Sequence, residues 1–299
     1  MHPANLRSDL LLLLTALIWG FAFVAQRVGM EYVGPYLFNG ARFALGALPL
    51  VPFVLKNTSK PRWSNLLRAA PGSLLAGLFL FVGSSLQQVG IVYTTAGKAG
   101  FITGLYVILV PILGLFLGQR SGRNTWIGAL GASAGLYLLS IEPPLAIARG
   151  DALVLASALF WAGHVLLIGR LSRQIDWAAL AFLQYLTCSV LSTGVAFLTE
   201  EIALQPLLDA ALPIAYGGVL SVGVAYTLQV VAQRQAPAGH AAIILSLETV
   251  FAALGGWLLL DETMPLRGLL GCALIFAGML VSQQSDARRA TTSSARATE

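Results

Sequence analysis

Ten apolar stretches of about 20 residues follow one another with little between them, at 9–28, 34–55, 69–91, 96–117, 124–141, 151–169, 177–198, 211–232, 238–260 and 266–283. Wound as α-helix at about 1.5 Å per residue, each matches the roughly 30 Å of hydrocarbon in a bilayer. The pattern predicts an all-α integral membrane protein of ten transmembrane helices. Of the 299 residues, 57% are hydrophobic and 10% charged, against about 25% charged in a soluble domain. Mean hydropathy is +0.78. The first stretch, behind Arg7, has the outline of a signal peptide, but its apolar core runs long, contains Trp19 and precedes no A-x-A site, so it is read as a span. The polar residues after Gln284 (SDARRATTSSARATE) read as a disordered cytoplasmic tail, 284–299. Cys188 and Cys272 sit apart in apolar stretches and read as packing residues.

Lys and Arg set orientation. With the N-terminus inside, thirteen of them fall on the cytoplasmic side and four, Arg27, Lys98, Arg149 and Arg267, on the other. Both termini are therefore expected in the cytoplasm. A miscount of one span would scramble this alternation.

The two halves superpose at a constant shift of 142 residues. Asp9 then meets Asp151, Trp19 meets Trp161 and Gln87 meets Gln229, while AGKAGFITGLY (96–106) falls on AGHAAIILSLE (238–248). In the last spans the shift becomes 143, bringing Gly128 and Gly135 onto Gly271 and Gly278. An odd number of spans per half makes the second half enter the membrane from the opposite face. The expected organisation is two inverted-topology five-helix repeats, 1–145 and 146–283, around a central cavity, an architecture of secondary transporters.

Two segments, AGFITGLYVILVPILGLFLGQR in span four and LSLETVFAALGGWLLLDE in span nine, resemble the signature regions of the drug/metabolite transporter superfamily. LIWGFAF (17–23) and the Phe-Asn-Gly-Ala-Arg-Phe run at 38–43 also fit, and the chain is identified as a member of the EamA-like family of ten-helix bacterial carriers. The resemblance spans 9–283. It implies gating hairpins at spans three–four and eight–nine and export of amino acids or other small metabolites. Thr249 stands where the family has Pro after the Glu of span nine, which bears on the bend there; Gln119 stands where an acidic residue commonly ends span four.

Polar groups inside spans face a cavity or another helix. Arg42, whose repeat partner is Gln184, offers a fork for a substrate carboxylate or pairs within the protein; Phe43 and Tyr185 follow them. Trp19 and Trp161 form aromatic cavity walls or pack between helices. His164 takes a proton, bonds a substrate or packs. Gln87, Gln88, Gln229 and Tyr226 supply donors and acceptors to a substrate or to neighbouring helices. Lys98 and His240 open spans four and nine, where a cation opposes the helix dipole and needs a partner; they latch gates or snorkel to headgroups. Glu248, matched by Tyr106, sits mid-span at an insertion cost of about 2.5–3.5 kcal/mol. It serves a proton or substrate, or holds a gate.

The expectation is a secondary transporter of the bacterial inner membrane, exporting small organic metabolites such as amino acids by alternating access. No P-loop is present, so ATP drive within the chain is not expected. No cofactor, metal, catalytic residue or nucleic-acid partner is expected. The partners are a small-molecule substrate, membrane lipids and protons as a candidate coupling ion, with the chain a monomer or homodimer. The alternatives are a proton-independent facilitator or exchanger and a lipid-modifying enzyme. For the enzyme the three His (His2, His164, His240) form no cluster. GASAG (131–135) matches a nucleophile elbow only in letters, because it lies inside an expected membrane helix.

Overall fold

In hydrocarbon a backbone N–H or C=O has no water to bond, so an apolar crossing segment closes its hydrogen bonds on itself as a helix. The structure, a computed structural model, describes residues 3–56, 62–119, 121–140, 149–262 and 266–296. The boundary expected at 145–146 lies outside them. Its helices are α1 (Pro3–Gly29), α2 (Pro35–Lys56), α3 (Arg62–Ile91), α4 (Ala96–Phe116), α5 (Arg123–Ser140), α6 (Arg149–Leu171), α7 (Trp177–Thr199), α8 (Ala211–Ala232), α9 (Ala238–Leu259) and α10 (Leu266–Arg296). A short helix, Leu204–Asp209, precedes α8. Among the described residues, eight helices are long and apolar enough to cross a membrane; α5 is not among them, and the apolar part of α10, Leu266–Ser282, is shorter. α10 continues to Arg296, so residues 284–296, expected as a disordered tail, are helical; they hold no Pro or Gly to stop a helix.

Two helices are broken at matching places. α4 is interrupted at Leu105, six residues before Pro111, and restarts at Tyr106. α9 is interrupted at Ser246–Leu247 and restarts at Glu248. No proline is needed in α9: Thr249 Oγ1 donates to Ser246 O at 2.7 Å and Ser246 Oγ to Ile243 O at 2.8 Å, so side-chain hydroxyls hold the carbonyls that the break releases. In α8 the stretch Tyr216–Tyr226 is wound as wide π-helical turns. Its carbonyls at Ser221 and Ala225 accept from Trp19 Nε1 (3.2 Å) and Thr15 Oγ1 (3.3 Å) of α1.

α1 packs on α8 and α9, α3 on α6 and α7, and α2 on α7 and α8. α5 and α10 pack along each other. Gly128 lies against Gly278 and Gly135 against Gly271, and a methyl on Gly135 would sit 2.5 Å from Gly271 O. These pairings make the two helices antiparallel and as close as backbones allow.

The polarity of the molecule is the reverse of a soluble protein's. Phe116, Leu198 and Leu212 are more than four-fifths exposed, whereas Arg42, Gln87, Gln184, Gln229 and Glu248 are at most 5% exposed. An apolar outside around a polar inside fits a lipid solvent.

Candidate functional site

The buried polar groups converge on one cavity of about 30 Å³, room for about two waters. α1, α2, α3, α4, α6, α8 and α9 all reach it. Trp19, Arg42, Gln87, Tyr106, Trp161, His164, Tyr226, Gln229 and Glu248 line it, nine of the residues singled out from the sequence. Ala22, Phe23, Gln26, Thr103, Val165 and Ser221 complete the lining and were missed. Small or apolar residues carry no polarity signal; Gln26 and Thr103 lacked a polar repeat partner to draw attention to them.

Tyr226, at the end of the π-helical stretch, is the centre of an aromatic cluster. Its ring lies 4.5 Å from Trp19, 6.1 Å from Phe43 and 6.2 Å from both Trp161 and Tyr185. His164 meets it edge-on at 6.1 Å. Such tilted and edge contacts suit the ring quadrupoles.

Arg42 is 2% exposed. Its Nε donates to Asn39 Oδ1 at 2.9 Å, and its guanidinium carbon lies 5.6 Å and 5.0 Å from the rings of Phe38 and Phe43. Among the described residues no carboxylate comes within ion-pair distance of it. Buried guanidinium without a counter-charge is costly, and the cation–π contacts offset only part of that cost. Glu248 faces the same cavity from the first turn of the second segment of α9, where the helix dipole favours a carboxylate. Tyr106 holds the corresponding place in α4, and its buried hydroxyl faces the Glu248 carboxylate across the cavity.

Gln87 is a clasp. Its Oε1 accepts from Trp161 Nε1 (2.8 Å) and Thr103 Oγ1 (3.2 Å), and its Nε2 donates to Gln26 Oε1 (3.0 Å). One amide thereby ties α1, α3, α4 and α6 together. Gln88 Nε2 donates to the Gln26 carbonyl at 3.2 Å.

Four predicted residues lie elsewhere. Gln184 Oε1 is engaged by His164 Nε2 at 2.8 Å, behind the cavity wall, and Tyr185 Oη pairs with Thr227 Oγ1 at 3.0 Å. Lys98 pairs with Asp151 at 2.6 Å, and Thr94 Oγ1 donates to the same carboxylate at 3.1 Å. His240 pairs with Asp9 at 2.8 Å and with Ser282 Oγ at 3.1 Å. The two acidic partners were visible in the sequence as a repeat-related pair but were not connected to the two basic residues.

These ion pairs lie at opposite ends of the bundle. His240 opens α9, whereas Glu262, beyond its other end, accepts from the N–H groups of Ala96 (3.0 Å) and Gly97 (3.1 Å), where Lys98 opens α4. Glu200 similarly holds the N–H groups of Tyr36 and Leu37, both at 2.8 Å, capping α2 from the end of α7. Carboxylates at helix N-termini satisfy donors that have no intrahelical partner.

Comparison with known proteins places this geometry in a family. The model of the EamA-like transporter family matches twice, over residues 6–141 and 148–283. An uncharacterized transporter of Archaeoglobus fulgidus is 33% identical over 93% of this chain and 86% of its own length. A probable amino-acid metabolite efflux pump of Salmonella typhimurium is 24% identical over 92% of this chain and 94% of its own. A solved crystal structure shares the fold with a TM-score of 0.72 at 20% identity, covering 94% of this chain and 98% of that one. The chain belongs to the EamA-like transporter family and is a multi-pass membrane transporter.

Proposed function

We propose that this protein is a secondary transporter of the bacterial inner membrane that exports an amino-acid-like metabolite by alternating access, with both termini in the cytoplasm. The observation that carries the reading is the pairing of contacts across the molecule. The shift of 142 turns Asp9–His240 into Asp151–Lys98, and the shift of 143 turns Gly128–Gly278 into Gly271–Gly135. An operation that exchanges contacts in this way is a two-fold rotation between halves. Because the equivalent helices α5 and α10 run antiparallel, its axis lies across them, which supports ten spans arranged as two inverted repeats, 1–145 and 146–283.

A cavity between inverted halves, with one ion pair at each end, is the layout alternating access requires. One pair opens as the other closes, and the polar cavity is exposed to each side in turn. The cavity offers Arg42 to a carboxylate, Glu248 to an ammonium group and the rings around Tyr226 to an apolar side chain. That set fits a zwitterionic amino acid, consistent with the amino-acid efflux named for the Salmonella relative. At about 30 Å³ the cavity must widen to admit one. Protons remain the proposed coupling ion through Glu248. None of this asks the chain to perform catalysis.

The test is reconstitution into liposomes and flux of a labelled panel of amino acids, nucleosides and sugars, with and without a pH gradient. Amino acids should move faster than through empty liposomes. Flux at the empty-liposome level for all of them refutes the amino-acid reading, and flux indifferent to the pH gradient refutes proton coupling.

A further inference from the structure

Gln87 and Gln229 hold equivalent places in the two halves, 142 residues apart, and both line the cavity. Their hydrogen bonding is opposite. Gln87 has partners on both amide atoms. Gln229, 1% exposed, has none on either Nε2 or Oε1 among the described residues.

The sequence supplies the reason. The same shift carries Thr103 to Leu245, Gln26 to Ile168 and Trp161 to Trp19. Leu and Ile offer an amide nothing, and Trp19 Nε1 donates instead to the Ser221 carbonyl at 3.2 Å. The second half thus carries the amide without the groups that satisfy its counterpart. A buried amide left unpaired is destabilising, and an apolar residue of the same size would relieve it. Because Gln229 lines the cavity, a partner can reach it from there.

We propose that Gln229 is a specificity-determining residue of the cavity, reading a neutral group of the substrate that holds a hydrogen-bond donor and acceptor together, a carboxamide or a hydroxyl. The assignment rests on the amino-acid reading above. An amide carries no charge and does not neutralise a carboxylate or an ammonium group, and Arg42 and Glu248 are present for those ends. It offers one donor and one acceptor side by side, and is satisfied when the substrate returns the complement. Gln87, in the matching position, is the structural counterpart and does not take part in the choice.

The experiment measures flux into liposomes holding the full-length protein, for amino acids that differ in this group and little else: glutamine against methionine, and tyrosine against phenylalanine. Wild type is expected to carry the polar member of at least one pair about ten-fold or more better than its apolar partner, since a site built to bond a group rejects the analogue lacking it. Gln229→Met keeps the volume and should bring that ratio close to one by slowing the polar member alone. An unchanged ratio in Gln229→Met overturns the assignment, as does a wild type that favours neither polar member; both results leave the amino-acid reading standing. Absence of flux for all four amino acids overturns both. Gln229→Leu is the second variant, and thermal unfolding of each is expected at or above wild type. If both melt well below wild type, Gln229 is bonded within the protein and the assignment fails.

Discussion

Replacing Gln87 by Met tests whether one amide holds four helices. The substitution keeps the length of the side chain and removes its hydrogen bonds to Trp161, Thr103 and Gln26. Interhelical hydrogen bonds inside membranes average about 0.6 kcal/mol each, which puts the loss near 2 kcal/mol for this residue. If the three former partners stay buried and unpaired, at about 1–3 kcal/mol apiece, the loss climbs to about 3–9 kcal/mol. Thr103 has a way out, since a hydroxyl in a helix turns to bond a carbonyl one turn back, so the expected value lies between these limits. At about 2–4 °C per kcal/mol for chains approaching this size, a loss of about 3 kcal/mol in Gln87→Met should lower the melting temperature by about 6–12 °C. Tryptophan fluorescence of the purified protein in detergent reads it directly, with Trp161 beside the substituted site. The comparison is Gln229→Met, at the equivalent place without partners. Equal melting shifts for the two variants, or none for Gln87→Met, would refute the reasoning that one amide is structural and the other is not.

Three further outcomes are expected. Glu248→Gln keeps the shape of the side chain and should alter transport more than it alters unfolding; wild-type flux and pH dependence in the variant would make the carboxylate structural. Lys98→Asp should reduce flux by at least about ten-fold, because it sets two carboxylates against each other at one end of the bundle, and adding Asp151→Lys should restore most of it. No rescue by the double exchange would show that the pair does not act as a latch. Gly135→Ala pushes a methyl against Gly271 O and should cost about 1–3 kcal/mol in thermal or denaturant unfolding, with flux per folded molecule preserved.

The broad architecture was legible because the bilayer imposes a length and a polarity that, among the described residues, eight helices obey in full. Polar and aromatic residues inside the spans marked most of the cavity, and Arg42 and Glu248 most plainly, since a charge has few other reasons to be there. What escaped the sequence was direction. Gln184 and Tyr185 looked like their counterparts Arg42 and Phe43, yet His164 and Thr227 hold them behind the wall. Spacing along a helix does not say which neighbour a side chain meets, and a rotation of a few tens of degrees decides it. The break in α9 was equally hidden: without the family's proline the bend was in question, whereas hydroxyls of Ser246 and Thr249 support it. The repeat held the key to the ion pairs. Asp9, Asp151, Lys98 and His240 were each noted, and only the fold joined them crosswise.

The antiparallel crossing of α5 and α10 has a kinetic consequence. When two related halves trade conformations, a contact far from the axis is broken and its mate is made, so each cycle has a bond to rupture at both ends. A contact that the rotation maps onto its own neighbour has no such alternative. Gly128–Gly278 and Gly135–Gly271 are of this kind, and on the inverted-repeat reading they stay closed throughout the cycle. Under the proposed alternating access they would form a pivot, stationary while the ends swing. A side chain added there loads the bearing equally in every state: it weakens the molecule without changing the relative heights of its conformations, and therefore without setting the rate at which it turns over.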